Sequence, residues 1–161
     1  MKAWPFAAAA LAAGCAAPRP AEAPAALPPY PPRGEFIEFF VSAASELRFF
    51  IEAGSLSVGP DGIVRYVLIA RSPAGAVNVS YEGLRCETGE VRLYATGGEA
   101  GWSGRPGEWR AAARRWHNIL MHGYFCPQRQ PVSSRSEGLD ALRKGGHAAS
   151  KGGIDDIPRG F

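Results

Sequence analysis

Asn78-Val79-Ser80-Tyr81-Glu82-Gly83-Leu84-Arg85-Cys86 is the stretch whose reading decides the fold. Val77, Val79 and Tyr81 alternate with Asn78, Ser80 and Glu82, the period of two expected of a half-buried antiparallel strand. The strand ends on a cysteine. Cys126 is the only other cysteine in the part of the chain able to build a core, and it closes Tyr124-Phe125-Cys126-Pro127.

Working upstream, Ile63–Ala70 is the most apolar run. Val64, Tyr66 and Leu68 form one face, and Ile63, Val67 and Ile69, with Arg65 and Arg71, form the other. A strand apolar on both faces is central and covered. Pro60-Asp61-Gly62 before it and Ser72-Pro73-Ala74-Gly75 after it are turns, in which Pro presets φ, Asp bonds its own backbone and Gly accepts φ > 0. Phe36–Val41 reads as an edge strand. Leu47–Glu52 and Leu56–Val58 read as strand broken at Gly54.

Downstream, Glu87-Thr88-Gly89 leads into a strand at Glu90–Thr96, followed by a glycine-rich loop, Gly97–Gly107, that carries Trp102. Glu108–Cys126 then fits one helix, with Trp109, Ala112, Ala113, Trp116, Ile119, Leu120 and Tyr124 on one stripe, ended by Pro127. The expected fold class is α+β: an antiparallel β-meander of four to five strands packed by one C-terminal helix, flanked by disordered N- and C-terminal segments.

The chain has 161 residues, a net charge of +3, 20 Gly and 14 Pro. That near balance of charge does not call for a nucleic-acid partner, and none is expected. Lys2 and the apolar run Trp4–Ala13 form a segment too short to span a bilayer of about 30 Å, so a removable secretory signal fits residues 1–14. Ala12-Ala13-Gly14-Cys15 resembles the lipobox of bacterial lipoproteins, which makes Cys15 an acylated anchor; plain secretion is the alternative. More than one acyl chain holds a protein stably on a membrane. Ala16 after the cysteine resembles an outer-membrane address by the lipoprotein sorting pattern. Residues 15–33 are Ala/Pro-rich and read as an extended tether. The folded domain is expected over 34–127. Residues 128–161 are expected to be a mostly disordered tail with a short helix near Glu137–Lys144.

A signal segment places Cys86 and Cys126 in an oxidising compartment, where paired cysteines become disulfides. The competing reading, a reactive or metal-binding pair, lacks both CxxC spacing and a neighbouring histidine in sequence.

Several blocks occur in a fixed order. Phe49-Phe50-Ile51-Glu52, Ser55-Leu56-Ser57-Val58 and Asp61-Gly62-Ile63-Val64-Arg65-Tyr66 form the first half. Asn78–Cys86, Arg92-Leu93-Tyr94-Ala95, Trp109, and Trp116-His117 through Tyr124-Phe125-Cys126-Pro127 form the second. Together they resemble the CNP-one-like (cryptic neisserial protein one-like) family of proteobacterial envelope lipoproteins, over about residues 35–130. The resemblance carries no activity across. The strand–turn–strand start and the strand-end cysteine are also similar in architecture to surface adhesin E-type lipoproteins.

The chain holds no nucleophile elbow, P-loop or nucleotide fingerprint, and no cofactor is expected. His117 and His122 are five apart, off the i, i+4 spacing of a helical metal pair, so they read as surface or rim histidines, and no metal is expected. Glu82 with Arg85 or Arg92 reads as an ordinary cross-strand ion pair, with a catalytic carboxylate as the competing reading. Trp102 is a candidate ligand or partner contact, as are Arg110, Arg114 and Arg115 on a basic helix face.

The expected function is therefore a non-catalytic binding or structural role in the cell envelope. The protein is expected as an outer-membrane lipoprotein, its domain in the periplasm, partnered by the membrane through Cys15 and by an envelope protein or cell-wall polymer. A surface-exposed adhesin is the alternative, and an envelope enzyme a further one.

Overall fold

A computed structural model describes residues 20–150. The expected signal segment 1–14, the anchor Cys15 and the end of the expected tail, 151–161, lie outside the described residues. The sheet contains β1 (Phe36–Phe39), β2 (Arg48–Val58), β3 (Ile63–Arg71), β4 (Val77–Arg85), β5 (Glu90–Gly98), β6 (Gly101–Ser103) and β7 (Arg110–Ala111). All neighbours are antiparallel in the order β1-β2-β3-β4-β5-β6, and β7 also pairs with β5.

The meander therefore has seven strands rather than four to five. Of the two extra strands, β6 falls where glycine suggests only loop and β7 inside the stretch expected as helix. Gly101, at φ 106°, turns the chain back so that Gly97 pairs with Trp102. Further along, Arg110 and Ala111 pair with Val91 and Glu90 on the other half of the same β5 edge.

β3 sits between β2 and β4, and both its faces are covered, as its sequence implies. Val64, Tyr66 and Leu68 join Phe49, Ile51 and Leu84 beneath the C-terminal helices, which supply Ile119, Leu120, Tyr124, Phe125, Leu139 and Leu142. Val67 and Ile69 join Phe50, Tyr81 and Tyr94 on the opposite face, with Ala25 and Trp102 packed over them.

The single helix expected over Glu108–Cys126 is replaced by several short pieces. Edge pairing at β7 takes up the backbone first. The helix α1 then runs only from Arg115 to Ile119, and Leu120–Phe125 continues as a wider π-turn in which the Cys126 amide bonds the Met121 carbonyl at 2.7 Å. The widening lets Leu120, Met121, Tyr124 and Phe125 all face inward. Trp109 does not join this core; its ring lies under the Arg85 guanidinium, 4.0 Å from the ring centre.

The expected tail is ordered as far as residue 150. α2 (Arg135–Arg143) starts at Ser134, whose hydroxyl accepts from the Glu137 amide, while the Glu137 carboxylate accepts from Ser133, a close relative of the capping box. Leu139, Ala141 and Leu142 bury its inner face, and Gly138 lets it approach Leu56 closely. The short helix read from Leu139 and Leu142 is thus present, but the segment around it packs instead of being disordered.

Candidate functional site

Cys86 leaves β4 on the helix face and is bonded to Cys126, with Cα atoms 5.2 Å apart and a sequence separation of 40. The pairing expected from cysteine count is present. It fastens the end of β4 to the exit of the π-turn.

Glu82 lies on this same face. It sits opposite Tyr66 in the β3–β4 register and is 7% exposed. The ion pair expected with Arg85 or Arg92 is not formed. Arg85 is three positions away and therefore on the opposite face of the strand. Arg92 pairs with Gly83, on that same opposite face. The partners of Glu82 are instead the Ser80 hydroxyl at 2.6 Å, the Tyr66 hydroxyl at 3.3 Å and Nε2 of His117 at 2.9 Å. His117 is buried, not on the surface or rim, because α1 turns it down onto the sheet; His122 is exposed. Burial first, and then the neighbouring Glu82 carboxylate, push the Tyr66 hydroxyl well above its ordinary pKa, so it stays a donor.

The Ser80 and Tyr66 hydroxyls and Nε2 of His117 can each donate to the Glu82 carboxyl, which leaves Nδ1 as the other ring nitrogen. Nδ1 is sealed from solvent and has no hydrogen-bond partner. Among the described residues, no three His, Cys, Asp or Glu side chains gather as metal ligands.

Above the pair opens a pocket of about 490 Å³, walled by Val91, Leu93, Ala111 and Ala113 and rimmed by Glu108, Arg110 and Arg114. Arg110, on β7, and Arg114, just before α1, both line this pocket, but the helix face expected to carry them is not formed. Arg115 does not join them; its Nε reaches the Val41 carbonyl at 3.4 Å.

The opposite face carries a second arrangement that the sequence reading missed. Residues 20–33, expected as a tether, lie along the sheet as a strap. The Glu22 carboxylate accepts from Arg92 Nη1 at 2.8 Å, Tyr94 Oη at 2.8 Å and Trp109 Nε1 at 2.9 Å, with Arg85 at 3.8 Å. Burial alone would raise the Glu22 carboxyl, but the donors Tyr94, Trp109 and Arg92 outweigh it and hold the pKa below the ordinary range. Next to it, the Ala23 amide donates to Asp61 Oδ2 at 2.8 Å and the Ala23 carbonyl accepts from Arg65 at 3.1 Å. Asp61 and Arg65 are themselves a buried pair at 2.6 Å. The Asp61 carboxyl, raised by burial, is brought below its usual value by Arg65 and by the Ala23 and Ile63 amides.

Trp102, a candidate for ligand contact, touches the strap. Its Nε1 donates to the Pro28 carbonyl at 2.7 Å, and the Tyr30 ring stands edge-on at 4.9 Å. Gly97 completes the seat, since a Cβ there would lie 2.3 Å from the Tyr30 ring.

An antiparallel sheet clamped by a disulfide to helices on one face, and closed by a polar-anchored strap on the other, defines a small α+β domain with an internal carboxylate–imidazole pair. The chain matches the model of the CNP1-like family over residues 16–143 and belongs to that family. The match includes both the strap and α2. No curated protein and no solved structure matches the chain.

Proposed function

We propose that the protein is a non-catalytic lipoprotein of the cell envelope. It is attached to the outer membrane by acyl groups on Cys15, and its domain, in the periplasm, binds or supports an envelope protein or cell-wall polymer. The observation that carries the non-catalytic reading is the state of His117. Glu82 occupies Nε2, and Nδ1, the nitrogen left to act as a base, has no contact with solvent and no hydrogen-bond partner. A general base must come within hydrogen-bond reach of the proton it takes; the His117 ring lines the pocket, but Nδ1 itself has no exposed surface from which to reach one. The pair acts as an internal tie between β4 and α1. The anchor rests on Lys2, the apolar run and Ala12-Ala13-Gly14-Cys15.

Fractionation of cells tests the anchor. Cys15→Ser is expected to move the protein from the membrane to the soluble envelope fraction, and continued membrane retention would overturn it. Protease treatment of intact cells tests the placement. A domain digested before the outer membrane is breached belongs on the cell surface.

A further inference from the structure

We infer that the pocket rimmed by Arg110 and Arg114 is a docking face for the anionic phosphates of the lipid surface to which the protein is tethered. The inference rests on the Cys15 anchor proposed above, and it adds which side of the domain meets the membrane.

Three observations converge. The first is charge. Arg110 and Arg114 are exposed, and among the described residues neither guanidinium has a carboxylate partner; Arg114 only overlies the Trp116 ring, at 5.7 Å. By contrast Arg48, Arg65, Arg85, Arg92 and Arg143 are all paired. Two acidic residues line the same pocket. Glu82 is consumed internally by its three donors, and Glu108 leaves the rim net positive.

The second is apolar surface. Leu93 is 41% exposed and stands with Val91, Ala111 and Ala113 between the two arginines and the sheet edge. A strip of this kind beside cations suits the boundary between headgroups and acyl chains.

The third is position. The strap's first side-chain anchor, Glu22, is held by Arg92 and Trp109. Arg92 in turn bonds the Gly107 carbonyl on the pocket wall, and Trp109 lies between the pocket residues Glu108 and Arg110. Glu22 is seven residues from Cys15. Seven residues reach at most about 25 Å when fully extended. The latch therefore makes most of the apparent tether unavailable as a spacer and leaves the β5 edge, which the strap and the pocket share from opposite faces, tethered within that reach of the acyl groups.

The test uses the full chain carrying Cys15→Ser, so that no acyl group contributes, and measures co-sedimentation with vesicles of phosphatidylcholine alone or with phosphatidylglycerol added. The expected result is preferential binding to the phosphatidylglycerol vesicles, weakening as salt is raised. With two arginines removed in Arg110→Gln/Arg114→Gln, binding should fall about thirtyfold. The double variant shares the parent's N-terminus, so the difference between them reports this face alone, and an unchanged unfolding midpoint checks that it folds.

Binding by the double variant within twofold of the parent, or equal binding to both vesicle types, overturns the inference. Displacement by millimolar inorganic phosphate at constant ionic strength would assign the arginines to a free anion instead, and also overturns it. Failure of the anchor reading would appear elsewhere, as an unaltered membrane fraction for Cys15→Ser in cells.

Discussion

The two faces of the sheet are covered by different means. On the helix face, the cover is apolar and continuous, it comes from the C-terminal third of the chain, and a covalent bond fastens it. On the strap face, the cover is an extended Ala/Pro segment with almost nothing to bury. It is held at a few polar points: Glu22, the Ala23 backbone, Pro28 and Tyr30. The contrast teaches that one sheet can carry a permanent cover and a releasable one. Burial of the helix face is an area effect and barely changes with pH, whereas the strap depends on the ionisation of individual carboxylates.

Breaking the permanent cover should have the largest effect. Closing a loop of this length constrains the unfolded chain by about 4 kcal/mol in the entropy model, so Cys86→Ser/Cys126→Ser should lose about that much in urea unfolding. Next comes the internal tie. His117→Ala removes one partner of a buried pair and should cost about 3 kcal/mol, because Glu82 keeps a buried charge with fewer donors. Replacing both as Glu82→Leu/His117→Leu should recover most of that loss, and a double-mutant cycle measures the coupling.

The strap should respond less in global stability and more locally. Glu22→Gln leaves the donors Arg85, Arg92, Tyr94 and Trp109 without their shared anion, and should cost about 2 kcal/mol of docking free energy, seen as faster proteolysis within residues 20–33. Acid should act in the same direction. The Glu22 carboxyl, whose donors Tyr94, Trp109 and Arg92 all lie outside the strap, titrates lower docked than free, so docking is fully favoured above its ordinary value of 4.5 and is lost as pH falls below it. Tryptophan fluorescence from Trp102 and Trp109 should report release in that range before the helix face unfolds. Smallest of all, Trp102→Phe deletes the bond to the Pro28 carbonyl and should cost about 1 kcal/mol.

The difference between the faces also explains what the sequence could tell. The central strands are legible because Val64-Arg65-Tyr66-Val67-Leu68 is apolar on both faces and Val77, Val79 and Tyr81 alternate with polar residues. The disulfide was legible because only Cys86 and Cys126 lay in the foldable part. Alternation alone, however, put Glu82 toward solvent. When both faces of a sheet are covered, parity says which residues share a face and not which face is wet. The partner that decided it, His117, comes from 35 residues later and carries no local signal.

The strap was missed for a related reason. Its anchoring residues Glu22 and Tyr30 are isolated among Ala and Pro, with no period, and their receptors are spread over β3, β5, β6 and Trp109. The glycines of Gly97–Gly107 read as one loop, but a turn of two residues between the paired strands at Gly98 and Gly101 carries the same glycine signal as a longer one.

The second face keeps its cover only while the strap is docked. Hydrogen exchange at the Ala23 amide tests this most directly. With its donor bound to Asp61 Oδ2, that amide should exchange far more slowly than an open chain near neutral pH, and Glu22→Gln should accelerate it while leaving the Leu84 amide unchanged. An Ala23 amide that exchanges at the open-chain rate in the unaltered protein would contradict the account.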